Sequence, residues 1–198
     1  MLYGGTLFGS FRHHDIIPWG DDIDVLVDVE VRKALREKMR KLKPDILIYE
    51  EEIRDKIYAK LIEPSDTSQD KYGSRKLSGK SWGWPFLDTI QQVLGSYAKN
   101  TLAVLQQTYG RDYLCSGLAW SHAFETPIFT RTVWCKNLAD RYAFVEHAPL
   151  YHSAQDKDGS QDDLDWSREL LVRGGKVIHE VHLVAPRLQS TVAKSDTQ

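Results

Sequence analysis

Two aspartates near the start of the chain, Asp22 and Asp24, have the spacing that most directly predicts chemistry. They alternate with Ile23 and Val25, so on an extended strand both carboxylates would project from one face while Ile23 and Val25 enter the core. Two like charges this close repel one another unless a cation neutralises them. A hard divalent ion, Mg²⁺ or Mn²⁺, accepts carboxylate oxygens and keeps positions open for substrate phosphates. The pair therefore predicts a metal site.

A segment upstream of the aspartates has the composition of an anion-binding site. Gly4, Gly5 and Thr6 are expected to form a tight turn whose backbone N–H groups and Thr hydroxyl approach a phosphate. Arg12 offers a planar cation for phosphate oxygens or for charge on a leaving group, and His13 can orient or donate beside it. The alternatives are a surface ion pair for Arg12 and local hydrogen bonding for His13. Together with the aspartate pair, these residues predict a site that binds a di- or triphosphate from two sides.

A third carboxylate, Asp88, ends the apolar segment 84–88. A lone carboxylate in such a strand is costly without a partner. We predict that Asp88 completes the metal shell or acts as the base towards an acceptor hydroxyl. A hydrogen-bonded aspartate at a strand end is the alternative.

A small sheet must position these residues, and the periodicity predicts most of its elements. Asp28 is a plausible cap for the first helix and Pro44 its stop, and Gly174 and Gly175 are expected to close the last helix. The predicted strands cover 23–27, 46–49, 56–62, 84–89 and 176–184. The predicted helices cover 29–43, 96–110 and 163–172, and residues 63–83 are predicted to form a loop. The strands at 46–49 and 56–62 are expected to form a meander beside the first strand, and residues 111–160 have no clear period.

Composition and charge limit the classes of protein. With 198 residues, 41% hydrophobic and 27% charged, the chain is expected to form a single mixed α+β domain over 1–189 with a helical or irregular C-terminal half, followed by a disordered tail, 190–198. A net charge of -2 gives no global field for nucleic acid, so we expect no nucleic-acid partner. No apolar run is long enough for a membrane span. Because the first motif begins at Leu2, we expect a truncated start, and any membrane attachment would come through an anchor upstream.

The cysteines, histidines and tryptophans carry weaker signals. Cys115 and Cys135 are too few for a disulfide framework or a four-cysteine zinc site, and one bridge between them remains open. Several histidines lack zinc-ligand spacing with the cysteines and are assigned no metal role: His122, His147, His152, His179 and His182. Five tryptophans are interpreted as core, with a sugar-stacking surface as the alternative: Trp82, Trp84, Trp120, Trp134 and Trp166.

The segments 3–13, 15–19 and 21–25 together resemble the signature of the LicD family, which includes bacterial phosphocholine transferases and the fukutin-related transferases of animals. The resemblance implies a nucleotidyltransferase-like fold related to DNA polymerase β, with a small mixed sheet flanked by helices. It also implies transfer of a phospho-alcohol, such as phosphocholine or ribitol phosphate, from a CDP-activated donor to a sugar hydroxyl of a glycoconjugate. Gly20 stands where many members have an acidic residue, and the glycines lie further from the aspartates than in the general nucleotidyltransferase pattern.

The resemblance assigns roles to the same residues. Asp22 and Asp24 would hold the metal against the pyrophosphate, Gly5 and Thr6 would cradle it, and Arg12 would offset charge on the departing CMP. The animal-like members imply a secretory compartment such as the Golgi lumen, and a bacterial relative would work in the cytoplasm. Two other readings stay open: transfer of the nucleotide itself to a small molecule, protein or RNA, and a non-catalytic nucleotide- or glycan-binding fragment.

Overall fold

The computed structural model describes residues 1–63, 72–92, 105, 114–115, 120–128, 131–148 and 164–186. The chain divides into two compact units, Met1–Leu138 and Ala139–Gln198. The described residues form a mixed α+β structure with small sheets and few helices, in agreement with the predicted fold class.

The elements follow one another from a helix at the start of the chain to a long hairpin near its end. The helices are α1 (Gly4–His13) and α2 (Arg32–Arg40), with short 3₁₀-helices at Val29–Val31 and Cys135–Leu138. The strands of the first unit are β1 (Ile23–Asp28), β2 (Ile46–Glu50), β3 (Arg54–Ala59), β4 (Leu61–Ile62), β5 (Ser74–Lys76), β6 (Gly83–Trp84), β7 (Phe86–Gln92), β8 (Leu114–Cys115), β9 (Trp120–Ser121), β10 (Thr126–Pro127) and β11 (Val133–Trp134). Those of the second unit are β12 (Phe144–His147), β13 (Leu164–Arg173) and β14 (Lys176–Pro186).

The largest sheet of the first unit has four strands in the order β1-β7-β3-β2. β1 runs parallel to β7, whereas β3 is antiparallel to both β7 and β2. Helix α1 packs against β1 and α2 against β2. The register sets Asp24 directly opposite Asp88. This pairing brings two carboxylates that are distant in the sequence to neighbouring positions of one sheet.

The predicted hairpin of β2 and β3 is confirmed, but its expected position beside β1 is wrong. β7 lies between β1 and β3 and pairs with both. Phe86, Asp88 and Thr89 of β7 are all buried, as expected of a strand with a neighbour on each edge. The choice of the inserted strand depends on long-range pairing, which local periodicity does not report.

The expected tight turn at Gly4 is also wrong, because this residue opens helix α1. Gly4 has φ 53, a left-handed conformation that glycine adopts without steric cost. Gly9 has a separate packing role. A side chain there would place its Cβ 2.5 Å from the backbone nitrogen of Ile17. The glycines of this segment therefore serve the entry into the helix and its close approach to the following loop.

Strand β1 forms where the alternation predicts it, but the buried position differs. Ile23 is 40% exposed, and Leu26 is almost completely buried at 1%. Leu26 has the same parity along the strand as Asp24, so their side chains leave the sheet on the same face. The expectation that Ile23 enters the core is wrong, because α1 packs against this strand and its neighbours decide which face is covered.

The first helix after β1 is shorter than predicted. The Asp28 side chain accepts a hydrogen bond from the Glu30 N–H at 2.9 Å, as expected of a cap, but the turn that it caps is the 3₁₀-helix, and α2 ends at Arg40. The positive face of α2 is not simply solvated. Arg36 reaches the fully buried carboxylate of Asp55 on β3, with 2.9 Å from Nε to Oδ2.

The first unit also contains a smaller sheet, which the sequence did not predict, and a buried hydrophobic cluster. The sheet has the order β4-β5-β6 and includes part of the expected loop 63–83. Tyr58, Leu77, Trp82 and Phe86 form the buried cluster. The prediction of a core tryptophan is therefore confirmed for Trp82. It is wrong for two others, because Trp120 is 39% and Trp134 51% exposed.

In the second unit, the predicted helix over 163–172 is wrong. The segment forms β13, which pairs with β14 in a long antiparallel hairpin, and β12 adds a third strand. Gly174 and Gly175 both have positive φ, 55 and 72. Consecutive left-handed residues suit a two-residue hairpin turn, whose twist matches that of the flanking strands, as well as they suit a helix end. The predicted helical or irregular C-terminal half therefore contains a three-stranded sheet, in the order β12-β13-β14.

Three further predictions concern the rest of the chain. Cys115 and Cys135, in β8 and the following 3₁₀-helix, form a disulfide, which settles the pairing that the sequence left open. The predicted helix 96–110 lies outside the described residues except for Leu105, which is helical and buried, and the tail 190–198 also lies outside them. Neither helix among the described residues is long and apolar enough to cross a bilayer.

Candidate active site

Three carboxylates that come from two adjacent strands form the centre of the site. Asp22 immediately precedes β1, Asp24 lies within it, and Asp88 lies opposite on β7. One ligand oxygen from each lies within 4.8 Å of the others. The structure therefore brings together the three predicted metal ligands, which we call the acidic triad.

Burial and repulsion make the triad unfavourable as three free anions. The pKa of Asp24 is raised from its usual 3.8 to about 6 by burial first, and then by the charges of Asp22 and Asp88. Burial also raises the pKa of Asp22, which the neighbouring His122 partly opposes. A bound cation would relieve this strain by compensating the charge on both groups.

Two cations of β3 compensate Asp88, which is completely buried. The Lys56 ammonium donates to both of its oxygens, at 2.9 Å and 3.2 Å, and Arg54 donates to Oδ2 at 3.0 Å. Lys56 is itself only 5% exposed and lies 3.9 Å above the centre of the Phe86 ring. Sequence reasoning missed both cations, although a lysine inside a predicted strand is a usable signal, because burial of a lysine requires an anionic partner.

The loop between β9 and β10 contributes a histidine that was assigned no role. His122 Nε2 lies 3.2 Å from Asp22 Oδ2. The neighbouring Asp21 holds this loop, because its Oδ2 accepts hydrogen bonds from the Ser121 hydroxyl at 2.8 Å and from the Ala123 N–H at 3.1 Å. About a hundred residues separate the partners in the chain, so spacing gave no sign of this contact.

The first turn of α1 is attached to the strand that carries Asp24. The Tyr3 N–H donates to the Asp24 carbonyl at 3.1 Å, and the Thr6 hydroxyl accepts from the Asp24 N–H at 2.8 Å. The first N–H groups of a helix have no intrahelical acceptor and favour anions. The segment predicted to cradle a phosphate thus lies beside the triad, as a helix N-terminus and not as a turn.

Arg12 and His13 lie further along the same helix and are buried, at 6% and 3% exposure. The Arg12 guanidinium lies 4.2 Å above the Phe8 ring, and its Nε donates to His13 Nε2 at 3.2 Å. It also reaches the Cys135 sulfur at 3.7 Å. The alternative of a surface ion pair for Arg12 is therefore wrong, and its role towards phosphate stays a prediction.

One comparison with known proteins gives a match. The family model described as LicD/FKTN/FKRP, nucleotidyltransferase domain, matches residues 1–109. The matched range is more than half of the 198 residues and contains the whole triad. No curated protein and no solved structure matches the chain.

Proposed function

The chain belongs to the LicD/FKTN/FKRP family, and from this premise we propose that it is a metal-dependent transferase that moves a phospho-alcohol from a CDP-activated donor to a sugar hydroxyl. Family membership by itself indicates a transferase of glycoconjugate modification. The donor, the metal and the nucleotidyltransferase-like fold belong to the proposal. The observation that carries it is the convergence of three carboxylate oxygens within 4.8 Å, beside a helix N-terminus.

The residues present suit Mg²⁺ or Mn²⁺. Both ions prefer carboxylate oxygens, and Mg²⁺ binds through one or two carboxylates together with substrate phosphates. Among the described residues, Asp22 and Asp24 have no cationic partner as close as those of Asp88, and burial and repulsion act on both. Asp88 already accepts three hydrogen bonds, which leaves about one of its four lone-pair sites for an ion. We therefore assign Asp22 and Asp24 as the main ligands and Asp88 as a single-oxygen ligand.

The N-terminus of α1 supports the same function, because it would bind the substrate phosphates on the side opposite the metal ligands. The N–H groups of Gly4, Gly5 and Thr6 have no intrahelical acceptors, and the helix dipole adds partial positive charge at this end. A diphosphate between this turn and Asp24 would be bound on two sides. Arg12, buried in the same helix, would add positive charge to the field at the departing CMP, and His13 would help to orient its guanidinium.

The reaction is a substitution at phosphorus. The acceptor hydroxyl oxygen forms a bond to the phosphorus that bears the alcohol, the bond to the bridging oxygen breaks, and CMP leaves with the electron pair while the hydroxyl proton passes to solvent. A divalent ion at the triad would neutralise charge on the bridging and departing oxygens. Phosphoryl transfer needs little beyond positioning and charge stabilisation. Lys56 and Arg54 fix the orientation of the Asp88 carboxylate, and Asp21 fixes the loop that carries His122.

The substitution Asp24→Asn tests the proposal. It removes one ligand charge from the triad and should lower transfer from a CDP-alcohol by at least about a hundredfold, measured as CMP release with Mg²⁺ or Mn²⁺. Asp45→Asn, at an exposed aspartate immediately before β2, is the matched control and should keep full activity. Undiminished CMP release by Asp24→Asn would contradict the proposed function.

The matched family model describes a nucleotidyltransferase domain, and this favours a second candidate function. In that reaction the nucleotide itself moves to the acceptor, and a nucleoside triphosphate donor releases pyrophosphate. The same metal site would serve both reactions, so the residues do not separate them. Product analysis does, because CMP marks phospho-alcohol transfer and pyrophosphate marks nucleotide transfer.

The disulfide supports a proposal about the compartment in which the protein works. Disulfides persist in oxidising environments and are rare in the cytosol, and Cys115 and Cys135 form one here. We therefore place the working protein in an oxidising compartment, such as the lumen of the secretory pathway.

A further inference from the structure

A cavity of about 420 Å³ adjoins the acidic triad in the first unit. Its walls include Arg54 and Lys56 from β3, Trp82, and three residues of the β9–β10 region, Trp120, His122 and Glu125. The volume falls within the range of roughly 300–1,000 Å³ typical of small-molecule sites. The proposed donor site at the triad does not account for this space.

The walls of the cavity connect directly to the triad. Arg54 and Lys56 bind Asp88, and His122 lies 3.2 Å from Asp22. A ligand held in the cavity would therefore lie next to a phosphate bound at the three carboxylates. This is the position that the acceptor of a transferred group must occupy.

Three buried polar atoms in residues of the cavity wall have no hydrogen-bond partner among the residues that the structure describes. They are Trp82 Nε1, His122 Nδ1 and Glu125 Oε1. The last two lie 3.6 Å apart, beyond hydrogen-bond distance. Buried polar groups in proteins are almost always satisfied, by protein or by a bound molecule. The indole N–H requires an acceptor and the carboxylate a donor, and a hydroxyl group can serve as either.

Trp120 gives the cavity an apolar wall. Its side chain is 39% exposed, whereas the faces of Trp82 are covered by Tyr49, with ring centres 4.8 Å apart, and by the Lys80 ammonium, 5.1 Å from the ring centre. Trp120 is thus the accessible aromatic surface of the site. An indole with one open side suits a ligand that combines C–H surface with polar groups.

The charges of the wall residues that belong to the described part of the chain are nearly balanced. Lys80 lies 3.8 Å from Glu125, and Asp88 compensates Arg54 and Lys56. The remaining wall residue, Glu51, adds a negative charge. A second polyphosphate would therefore gain little electrostatic attraction from these walls. The binding of a neutral ligand does not depend on such attraction.

We propose that this cavity is the acceptor subsite and that it takes a neutral sugar or polyol, whose C–H face packs on Trp120 and whose hydroxyls bond to Glu125, His122 and Trp82. The assignment rests on the proposed function, because it places the acceptor next to the transferred phosphate. It also narrows that function, since it excludes an acceptor whose binding depends on a phosphate in this cavity.

Ligand-observed NMR binding measurements on the full chain test the assignment without the natural acceptor. The probes are neutral methyl pyranosides and ribitol, with CMP plus Mg²⁺ as a separate probe of the donor site. Trp120→Ala and Glu125→Ala should each weaken binding of a neutral probe about tenfold, the loss of one anchor contact. CMP binding should not change in either variant. Asp24→Asn should do the reverse, with weaker CMP binding and intact binding of the neutral probe.

Two controls separate loss of the site from loss of the fold. Phe124→Ala removes a 78% exposed aromatic residue of the same loop that does not line the cavity, and it should leave neutral-probe binding intact. Glu125 has φ 51, which glycine adopts more easily, so Glu125→Gly should lose binding while the thermal midpoint is kept.

The assignment is overturned if no neutral probe binds the wild-type chain, if Trp120→Ala and Glu125→Ala bind it normally, or if these variants lose CMP instead. The last result would make the cavity a nucleoside site. Failure of the proposed function has a different signature, the absence of any turnover of a CDP-alcohol by the wild-type chain.

Discussion

At Asp24, burial and like charge act in the same direction, and both raise its pKa, to about 6. Asp22 and Asp88 are the anions responsible, while Arg54 and His122 oppose them only in part. A group arranged in this way destabilises the ion-free protein at neutral pH. A bound cation would relieve this repulsion. The proposed metal-binding role of Asp24 therefore conflicts with the stability of the ion-free protein.

The conflict predicts a pH-dependent effect of Asp24→Asn on stability. The folded protein holds the Asp24 proton up to about pH 6 and the unfolded chain only to its usual pKa of 3.8, so this contribution to stability is present below pH 3.8 and is lost as the pH rises to about 6. At pH 7 with a chelator, Asp24→Asn should be more stable than wild type by about 1–2 kcal/mol, allowing for partial exposure. At pH 3.5 the difference should vanish.

Urea unfolding at the two pH values measures this effect, with Asp45→Asn as the control for loss of a carboxylate. Added Mn²⁺ should reverse the order at pH 7, because only the wild type retains the full ligand set. An Asp24→Asn variant less stable than wild type at pH 7 in chelator would contradict the prediction.

At the scale of elements, helix α2 is attached to the sheet through one buried charge. Asp55 is 0% exposed and accepts from Arg36, from the Gln91 side chain at 2.9 Å and from the Glu51 N–H at 3.2 Å. The pKa of Arg36 is raised, mainly by this hydrogen bond. Asp55 lies on the strand that also carries Arg54 and Lys56, so the same strand connects the helix to the triad.

Arg36→Ala should therefore destabilise the protein strongly. Removal of the hydrogen-bonded partner leaves the buried carboxylate with the more distant Arg32, at 3.8 Å, and should cost about 3 kcal/mol. The matched control is Arg40→Ala one turn later, which removes an exposed pair with Glu50 and should cost less than about 1 kcal/mol. Equal losses for the two variants, measured by thermal unfolding, would refute the buried role of Asp55.

At the scale of the molecule, the disulfide closes a segment of chain that both contacts the triad and lines the cavity. Cys115 and Cys135 are separated by 20 residues, and the enclosed segment carries Trp120, His122 and Glu125. Cross-linking restricts the unfolded chain and is worth about 3 kcal/mol for a loop of about this length. The bond thus favours the loop conformation that forms the cavity wall.

Reduction should lower the free energy of unfolding by about 3 kcal/mol and weaken neutral-probe binding more than CMP binding. Thermal unfolding with and without dithiothreitol measures the first effect, and the NMR assay measures the second. The double variant Cys115→Ser/Cys135→Ser should be insensitive to dithiothreitol. Two free thiols detected by alkylation under non-reducing conditions would exclude the bond.

The sequence alone determined the elements whose signal is local. Strand β1, the β2–β3 hairpin, strand β7 and the proximity of Asp22 to Asp24 follow from period-two alternation and short spacing. The sequence also predicted that Asp88 lies with Asp22 and Asp24, because a charge in an apolar segment requires partners within the fold. The structure brings the three carboxylates together. The same local reasoning failed at Gly174–Gly175, where one residue pair fits both a helix end and a hairpin turn.

Only the tertiary structure decided what surrounds the three carboxylates. The insertion of β7 between β1 and β3 placed Lys56 against Asp88, and the fixation of a distant loop by Asp21 placed His122 against Asp22. These contacts join residues far apart in the chain, and no local period encodes which strands pair or which loop returns to an edge. Spacing therefore revealed the carboxylates, while their charge partners and the neighbouring cavity depended on long-range packing.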